Sequence, residues 1–294
     1  MKMNKLKTRM KYKPMLAYPA NNKPIDYNKP VYIQPKLDGV RCLIQYNVLR
    51  KGKKREVVAY SRTGKKWLNI DHILEELTPF FEKHPNVVLD GELYNHDFKD
   101  DFESIISMVR KTKPNDEARL KSRENVQFHC YDLVDLNAEF SFRNKWLSEH
   151  VPLSYCVHPV STWMVNKEQS KKIHRVNLNK GYEGSIIRLD EMYQPKRSYS
   201  LRKFKDFQDA EANIVGYEEG KGKRTGTLGK FVMQDDDGNI FGCPPGKGHN
   251  YKDLALMLAN IHEYMGQRAT FTYFERTKAG SYRHPLYKCI RNYE

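Results

Sequence analysis

Lys36 stands in the run Lys36-Leu-Asp-Gly-Val-Arg41, between short apolar stretches at 31–33 and 40–46. Apolar stretches on either side of an Asp-Gly pair predict strand, turn and strand, so the lysine is expected at a strand edge. An amine placed there can attack a phosphorus atom, because glycine permits close approach of the backbone and Arg41 can hold phosphate oxygens. Matches of this length also arise by chance in turns, so this run alone does not establish nucleotidyl transfer.

Two glutamates supply hard oxygen ligands elsewhere in the chain. Glu92 lies in Leu89-Asp-Gly-Glu-Leu93, and Glu183 lies in Tyr182-Glu-Gly-Ser-Ile-Ile-Arg188. Such carboxylates suit Mg²⁺, or Mn²⁺ in its place, or a ribose hydroxyl. The alternative is that they only keep an edge strand soluble.

Basic side chains recur in two further runs, Ser61-Arg-Thr-Gly-Lys65 and Leu201-Arg-Lys-Phe-Lys205. The guanidinium groups of Arg41 and Arg62 can fork onto phosphate or ribose oxygens. Lys203 and Lys205 can project two ammonium groups from a strand end towards an α-phosphate. A basic strand edge without a ligand is the competing explanation for this lysine pair.

With Phe128-His-Cys-Tyr-Asp132, these runs resemble, in order, the motifs of the covalent nucleotidyltransferase superfamily and, within it, the ATP-dependent DNA ligases. The resemblance covers the chain from about residue 14 to its end. It implies that Lys36 takes AMP from ATP as a covalent adduct, with a divalent metal at Glu92 and Glu183. AMP then passes to the 5′-phosphate of a nick in duplex DNA, and the 3′-hydroxyl displaces it.

The same resemblance implies further nucleotide contacts. Tyr131 occupies the position of an aromatic ring that stacks on adenine, with core packing as the alternative for a tyrosine. Gln34 resembles the residue that reads the adenine edge, where its amide could pair with the exocyclic amine. Arg197 resembles a residue used on ATP phosphates or on the DNA 5′-phosphate.

Helical and strand-like patterns mix along residues 1–205 without strict alternation. Helical spacing is found at 70–81, 102–109, 142–150 and 168–176, and strand-like runs at 87–94, 126–134 and 184–189. This mixture predicts an α+β domain with largely antiparallel sheets, and the resemblance implies the ATP-grasp-like nucleotidyltransferase fold. No Walker A pattern or G-x-G-x-x-G occurs, so the nucleotide must be held by other means.

Short strands and turns follow Lys205, which predicts a second domain over 206–294. Strand runs at 212–217, 228–234, 240–243, 269–274 and 286–290, with a helix at 251–265, form the inventory of a small OB-fold β-barrel. Asp237-Gly238 between two of these runs predicts a hairpin.

The second domain also carries the choice of substrate. The Gly-rich run 216–229 and Gly280-Ser-Tyr-Arg-His-Pro285 resemble the OB domain of DNA ligases more than those of RNA ligases or capping enzymes. The family's last motif normally ends in Arg-x-Asp, whereas this chain reads Arg291-Asn-Tyr-Glu294. The resemblance implies that Arg291 still meets the departing pyrophosphate, although the acid is missing. Nicked double-stranded DNA is the expected partner.

Charge and composition bound the remaining alternatives. Lys and Arg number 51 against 36 Asp and Glu, a net charge of +15 that points to a polyanionic partner. The basic residues 2–13 form either a solvated arm or one that tracks phosphates. No apolar run is long enough for a membrane span, and five scattered cysteines suggest neither a zinc site nor disulfides. We expect a cytoplasmic protein, in the host cytoplasm if the source is viral, that needs only a monomer.

Three rivals were weighed against an ATP-dependent DNA ligase. An NAD-dependent ligase would need a nicotinamide-recognising domain, a zinc module and helix-hairpin-helix repeats, which the sequence upstream of Lys36 does not provide. An RNA ligase or a GTP-using capping enzyme shares the lysine motif but not the His-Pro pair after Arg283. A catalytically inactive nucleic-acid-binding OB protein would not be expected to keep Lys36 and its surrounding charges. The expectation is a minimal two-domain ligase of the bacteriophage and viral kind.

Overall fold

The computed structural model describes residues 9–49, 54–99, 101–246, 248–274, 276–277 and 280–291. The chain divides into two compact units, Met1–Lys205 and Asp206–Glu294. Residues 1–8 of the predicted basic arm and 292–294 of the last predicted motif lie outside the described residues.

The first unit combines helices with two five-stranded sheets. Its helices are α1 (Asp71–Lys83), α2 (Phe102–Val109), α3 (Asp116–Asn125), α4 (Phe140–His150) and α5 (Lys167–Asn179). Its strands are β1 (Leu16–Pro19), β2 (Val31–Lys36), β3 (Val40–Leu49), β4 (Lys54–Tyr60), β5 (Val88–Tyr94), β6 (Gln127–Leu133), β7 (Val157–Pro159), β8 (Trp163–Met164), β9 (Gly184–Leu189) and β10 (Arg197–Phe204).

The strands pair mostly antiparallel. One sheet has the order β1-β10-β9-β2-β8 and is called the Lys36 sheet; the other has the order β4-β3-β5-β6-β7 and is called the Glu92 sheet. Only the pairs β1–β10 and β6–β7 are parallel among the described pairings of this unit. The predicted α+β architecture with largely antiparallel sheets is confirmed.

The main apolar core lies on the Glu92 sheet under helices α1, α2 and α4. The helical stripes predicted from spacing point into it: Ile73, Leu77 and Phe81 of α1 are fully buried, as are Ile105 and Val109 of α2 to within 1%. Burying a side chain of this size contributes about 1.5–3 kcal/mol, so this core holds the sheet as a fixed platform for the residues on its strands.

The turn between β2 and β3 carries the chain from one sheet to the other. Strand β2 belongs to the Lys36 sheet and β3 to the Glu92 sheet, so the predicted strand, turn and strand do not form a hairpin. A Cβ on Gly39 would lie 2.4 Å from the carbonyl oxygen of Leu93 and 2.7 Å from Cγ of Glu92. Glycine is required there because β5 passes too close for any side chain.

The second unit is built on one antiparallel sheet. Its elements are β11 (Gln208–Glu219), β12 (Leu228–Gln234), β13 (Ile240–Cys243), α6 (Tyr251–Ala259), β14 (Arg268–Tyr273) and β15 (Leu286–Ile290), and the sheet order is β13-β12-β11-β14-β15. Its edges are linked after β13, where Tyr287 N donates to Pro244 O at 2.9 Å and Gly246 N donates to Tyr287 O at 3.0 Å. The five predicted strands and the Asp-Gly hairpin are confirmed.

The helix of the second unit is shorter than predicted. The pattern predicted 251–265, whereas α6 ends at Ala259 and a 3₁₀ turn follows at Ile261–Glu263. Asn260 interrupts the helix with φ −102° and ψ 28°, and the apolar residues beyond it pack from the turn rather than from a helix. In the part of the chain that the structure describes, no helix combines the length and apolarity needed to cross a membrane.

Candidate active site

A cavity of about 220 Å³ opens between the Lys36 sheet and the Glu92 sheet. We call it the inter-sheet cavity. Seven of the residues predicted from sequence line it: Gln34, Lys36, Arg41, Arg62, Glu92, Tyr131 and Lys203. They come from strands β2, β3, β5, β6 and β10 and from the turn after β4, so the two sheets must be assembled before the cavity exists.

Lys36 ends strand β2 beside the start of β9. The backbone N–H of Glu183 donates to the Lys36 carbonyl at 3.0 Å, and Lys36 pairs with Gly184 in the ladder. The Lys36 ammonium forms an ion pair with Glu183, whose side chain is 4% exposed against 20% for the lysine. Gly184 has φ +139°, and a Cβ there would lie 2.3 Å from the carbonyl oxygen of Phe204, so only glycine fits after Glu183.

Glu183 is held by two ammonium groups rather than one. Lys205, which directly follows β10, forms an ion pair with the other carboxylate oxygen, Oε1. The sequence predicted that Lys205, like Lys203, points towards a phosphate. In the structure Lys203 lines the inter-sheet cavity, whereas Lys205 is engaged with Glu183.

Glu92 lies on β5, in the middle of its sheet, and not on an edge strand. Tyr131 Oη on the neighbouring strand β6 donates to Glu92 Oε2 at 3.1 Å. Burial raises the pKa of the Glu92 carboxyl to about 7, against the lowering effects of Arg41 and Lys36. Burial likewise raises the pKa of Tyr131 well above its ordinary value, so its hydroxyl stays a hydrogen-bond donor.

Arg41 is anchored by residues to which the sequence assigned no role. Its Nε donates to Asp90 Oδ1 at 2.6 Å, and its Nη2 pairs with Asp90 Oδ2 and donates to the Met15 carbonyl at 3.1 Å. Tyr193 Oη also donates to Asp90 at 2.7 Å. Nη1 of Arg41 has no hydrogen-bond partner among the described residues, so one edge of the guanidinium remains for a ligand.

Gln34 belongs to a buried chain of polar groups that the sequence did not reveal. Arg188 Nε donates to Gln34 Oε1 at 2.6 Å, and Arg188 Nη1 donates to Asp132 Oδ2 at 2.6 Å. Arg143 Nε donates to the same Asp132 carboxylate at 2.8 Å. Arg188 also lines the cavity and lies over the Tyr131 ring at 5.4 Å from its centroid.

Arg62 joins the inter-sheet cavity to a second, more open groove of about 770 Å³. It lies in the tight turn 61–65, where Gly64 has φ +82° and Lys65 N donates to Ser61 Oγ at 3.0 Å. The groove is lined by further basic residues, Lys65, Lys66, Arg110 and Lys111, and shares Arg41 and Glu92 with the cavity. A phosphate chain could therefore continue outward from the cavity along basic side chains.

Four predicted residues do not line the cavity: Glu183 and Lys205, which pair beside Lys36, and Arg197 and Arg291. Arg197 is exposed at the start of β10, where it pairs with the Ala17 carbonyl and lies 5.6 Å from the centroid of the Tyr18 ring. Arg291 belongs to the second unit, where it forms an ion pair with Glu211 of β11. Arg291 thus has an acidic partner on β11, although the sequence has Tyr293 where the family motif has aspartate.

Glu92 at the cavity and Glu183 beside Lys36 are oxygen donors of the kind that a hard divalent cation takes. No cluster of three or more His, Cys, Asp or Glu side chains with metal-binding geometry occurs among the described residues. Glu183 nevertheless pairs with Lys36, and Lys36 and Glu92 line the same cavity. Two carboxylates completed by water and phosphate oxygens are the usual ligands of Mg²⁺ at phosphoryl-transfer sites.

Both units match known protein families. Residues 14–205 match the family model described as the ATP dependent DNA ligase domain. The chain belongs to the ATP-dependent DNA ligase family. Residues 219–291 of the same ligase-family chain match the model of the DNA ligase OB-like domain. The predicted family, and the predicted succession of a nucleotidyltransferase domain and an OB domain, are confirmed.

Individual relatives are distant. The chain is 25% identical to the DNA ligase of Enterobacteria phage T4 over 270 residues, covering 77% of this chain and 55% of that protein. It is 28% identical to a DNA ligase of African swine fever virus over 208 residues, covering 67% of this chain and 46% of that one. This ligase-family chain thus spans about half the length of these curated relatives.

Solved structures share the fold over nearly the whole chain. A structure named Pmar-Lig_Pre matches with a TM-score of 0.78 at 25% identity, covering 96% of this chain and 68% of that one. A Lig E DNA ligase, described as binding DNA with a minimal scaffold, matches with a TM-score of 0.73 at 22% identity, covering 95% and 99%. The second likeness is one of fold alone.

Proposed function

We propose that this chain is an ATP-dependent DNA ligase that seals nicks between a 3′-hydroxyl and a 5′-phosphate in duplex DNA, with Lys36 as the nucleophile. One observation carries the proposal: the Lys36 amine lies at the inter-sheet cavity, paired with a buried carboxylate and surrounded by cations suited to phosphates. Family membership supports the same reading.

Lys36 must lose its proton before it attacks, because the ordinary pKa of a lysine is about 10.4. The neutral amine then forms an N–P bond to the α-phosphorus of ATP as the bond to the β-phosphate breaks and pyrophosphate leaves. Glu183 positions the ammonium, and Lys205 neutralises the carboxylate from its other side. A divalent cation such as Mg²⁺ at Glu92 and Glu183 would supply charge neutralisation for the reacting phosphate. Lys203 and Arg62 then hold phosphate oxygens at the cavity wall.

The nucleotide is recognised by the strands of both sheets. Tyr131 offers its ring face to adenine, Gln34 its amide to the base edge, and Arg41 its remaining edge to ribose or phosphate. The 5′-phosphate of the nick then takes AMP from Lys36, and the 3′-hydroxyl attacks that 5′-phosphate and displaces AMP. Both steps take place at the same cavity. Roles of Arg197 and Arg291 on phosphates, and lid motion of the OB domain between steps, stay predictions.

The experiment is incubation of the protein with Mg²⁺ and ATP labelled in the α-phosphate. We expect covalent label on the protein and none on Lys36→Ala. Label from GTP or NAD in place of ATP would overturn the cofactor assignment.

Substrate choice needs its own comparison. The net charge of +15 and the match to a DNA ligase OB-like domain support duplex DNA. We expect a nicked DNA duplex to be sealed faster than nicked or single-stranded RNA. The reverse order of rates would identify an RNA ligase.

A further inference from the structure

The amide of Gln34 is completely buried, at 1% exposure, and its hydrogen-bonding groups are committed. Nε2 donates to the Tyr131 carbonyl at 3.1 Å and to Thr162 Oγ1 at 2.8 Å, which uses both of its hydrogens. Oε1 accepts from Arg188 Nε at 2.6 Å and keeps a second lone pair with no other donor among the described residues.

Only one orientation of this amide satisfies its neighbours. A guanidinium N–H can only donate and a backbone carbonyl can only accept, so Arg188 must face Oε1 and the Tyr131 carbonyl must face Nε2. The Thr162 hydroxyl donates to the Val160 carbonyl at 3.1 Å and is therefore an acceptor towards Gln34. Rotating the amide by half a turn would set its NH₂ against Arg188 and its oxygen against a carbonyl.

Arg188 cannot adapt to a rotated amide, because it is itself fixed. It is 4% exposed and bound to Asp132, which is fully buried. Arg143 donates to both oxygens of the Asp132 carboxylate at 2.8 and 3.1 Å, and to the carbonyls of Ala138 and Glu191 at 2.7 and 3.0 Å. The chain Arg143, Asp132, Arg188 and Gln34 is thus a buried network in which every link is made, and such networks hold a single geometry.

We infer that Arg188 and Thr162 are positioning residues that set the base preference of the enzyme. A glutamine that is free to rotate reads a 6-amino and a 6-oxo purine equally well, since it can present either its oxygen or its NH₂. Gln34 presents only an acceptor, which pairs with the 6-amino group of adenine and repels the 6-oxo group of hypoxanthine or guanine. The inference rests on the proposed adenylyl transfer and on Gln34 meeting the base edge.

The test compares adduct formation from α-labelled ATP and α-labelled ITP on the same protein preparation. Hypoxanthine lacks the 2-amino group of guanine, so the comparison isolates the 6-position and its adjacent ring nitrogen. We expect wild type to favour ATP strongly, and Arg188→Met and Thr162→Val each to lower the ATP to ITP ratio of rates by roughly tenfold, the scale of one misplaced hydrogen bond. Thr162→Ser keeps the hydroxyl and is the matched control, with an unchanged ratio.

A ratio is insensitive to how much of a variant is folded, because both nucleotides report on the same active fraction. Should Arg188→Met not fold, Thr162→Val at the half-buried position 162 carries the comparison. Variants that form adduct with the wild-type ratio, or a wild type that accepts ITP as readily as ATP, would overturn the inference while leaving the proposed ligase intact. A wild type that takes label from no nucleotide would overturn both.

Discussion

Lys36 forms its ion pair with Glu183 although the two residues are 147 positions apart in the chain. The pair is formed because β2 and β9 are neighbours, with Glu183 donating its backbone N–H to the Lys36 carbonyl. Side chain and backbone thus fix the Lys36 amine and its carboxylate partner together.

Replacing Glu183 by Gln tests that relationship. The amide keeps the size of the side chain but cannot balance the charges of Lys36 and Lys205 and is a poorer metal ligand, so we expect the rate of adduct formation from ATP to fall by about a hundredfold or more. Single-turnover labelling measures it. Glu168→Gln, an exposed glutamate in the first turn of α5, is the matched control and should label at the wild-type rate. Equal rates for both variants would remove Glu183 from the site.

Magnesium dependence tests the assignment of Glu92. We expect EDTA to abolish label and added Mg²⁺ or Mn²⁺ to restore it. In Glu92→Gln the metal concentration for half-maximal labelling should rise by about tenfold or more, because a neutral amide is a poorer ligand. An unchanged metal titration in this variant would show that Glu92 has another task.

The Arg41–Asp90 pair predicts a large stability effect. Asp90 is 1% exposed in its side chain, so Asp90→Ala leaves a guanidinium and the Tyr193 hydroxyl without their acceptor. Breaking a buried pair from one side costs about 3–5 kcal/mol, which chemical denaturation of the first unit would show. Asp236→Ala removes one of the two acidic partners of Arg268 on the surface of the second unit, and a much smaller change is expected there. Similar losses for the two variants would contradict the argument.

Gly39 predicts a steric effect on the turn that follows Lys36. In Gly39→Ala the new methyl group would meet the Leu93 carbonyl at 2.4 Å, so β5 must shift, at a cost of about 1–3 kcal/mol. We expect a lower thermal midpoint and slower adduct formation. In Gly216→Ala the nearest atom, Cβ of Val232, is 3.4 Å away, and that variant should melt close to wild type.

His129 predicts a loss of stability in acid. Burial, together with His158 and His96, lowers its pKa to about 3, whereas in the unfolded chain it protonates near pH 6.5. The unfolded chain therefore binds the proton first, and the free energy of unfolding falls as pH drops from about 6.5 towards 3, by up to about 1.4 kcal/mol per pH unit. Urea denaturation at pH 7, 6 and 5 should show a shallower decline for His129→Leu. Parallel declines would contradict this.

Local patterns in the sequence were sufficient for much of the fold and for the residues that line the cavity. Lys36, Glu92 and Tyr131 lie in short runs whose spacing predicts strands, and the strands bring them together. Helix α3 could not be predicted in this way, because Ser122 is its only buried residue and it has no apolar stripe. Its N-cap, Asn115, which accepts from Ala118 N at 3.0 Å, was the available signal.

The polar partners behind the cavity could not be derived from spacing. Arg188 binds a carboxylate 56 positions away and an amide 154 positions away, and Asp90 binds Tyr193 across 103 positions. Such pairs depend on which strands become neighbours, and periodicity reports only local structure. The clue that was available is that Asp90, Asp132 and Arg188 are charged residues inside apolar strand-like runs, where a charge needs a partner.

Because the chain crosses between sheets at residues 37–39, the surroundings of the Lys36 amine depend on both sheets. Lys36 takes its direction from one sheet, while the groups it faces across the cavity are mounted on the other. If Lys36 takes a nucleotide as we propose, labelling at position 36 would therefore report that both sheets have formed.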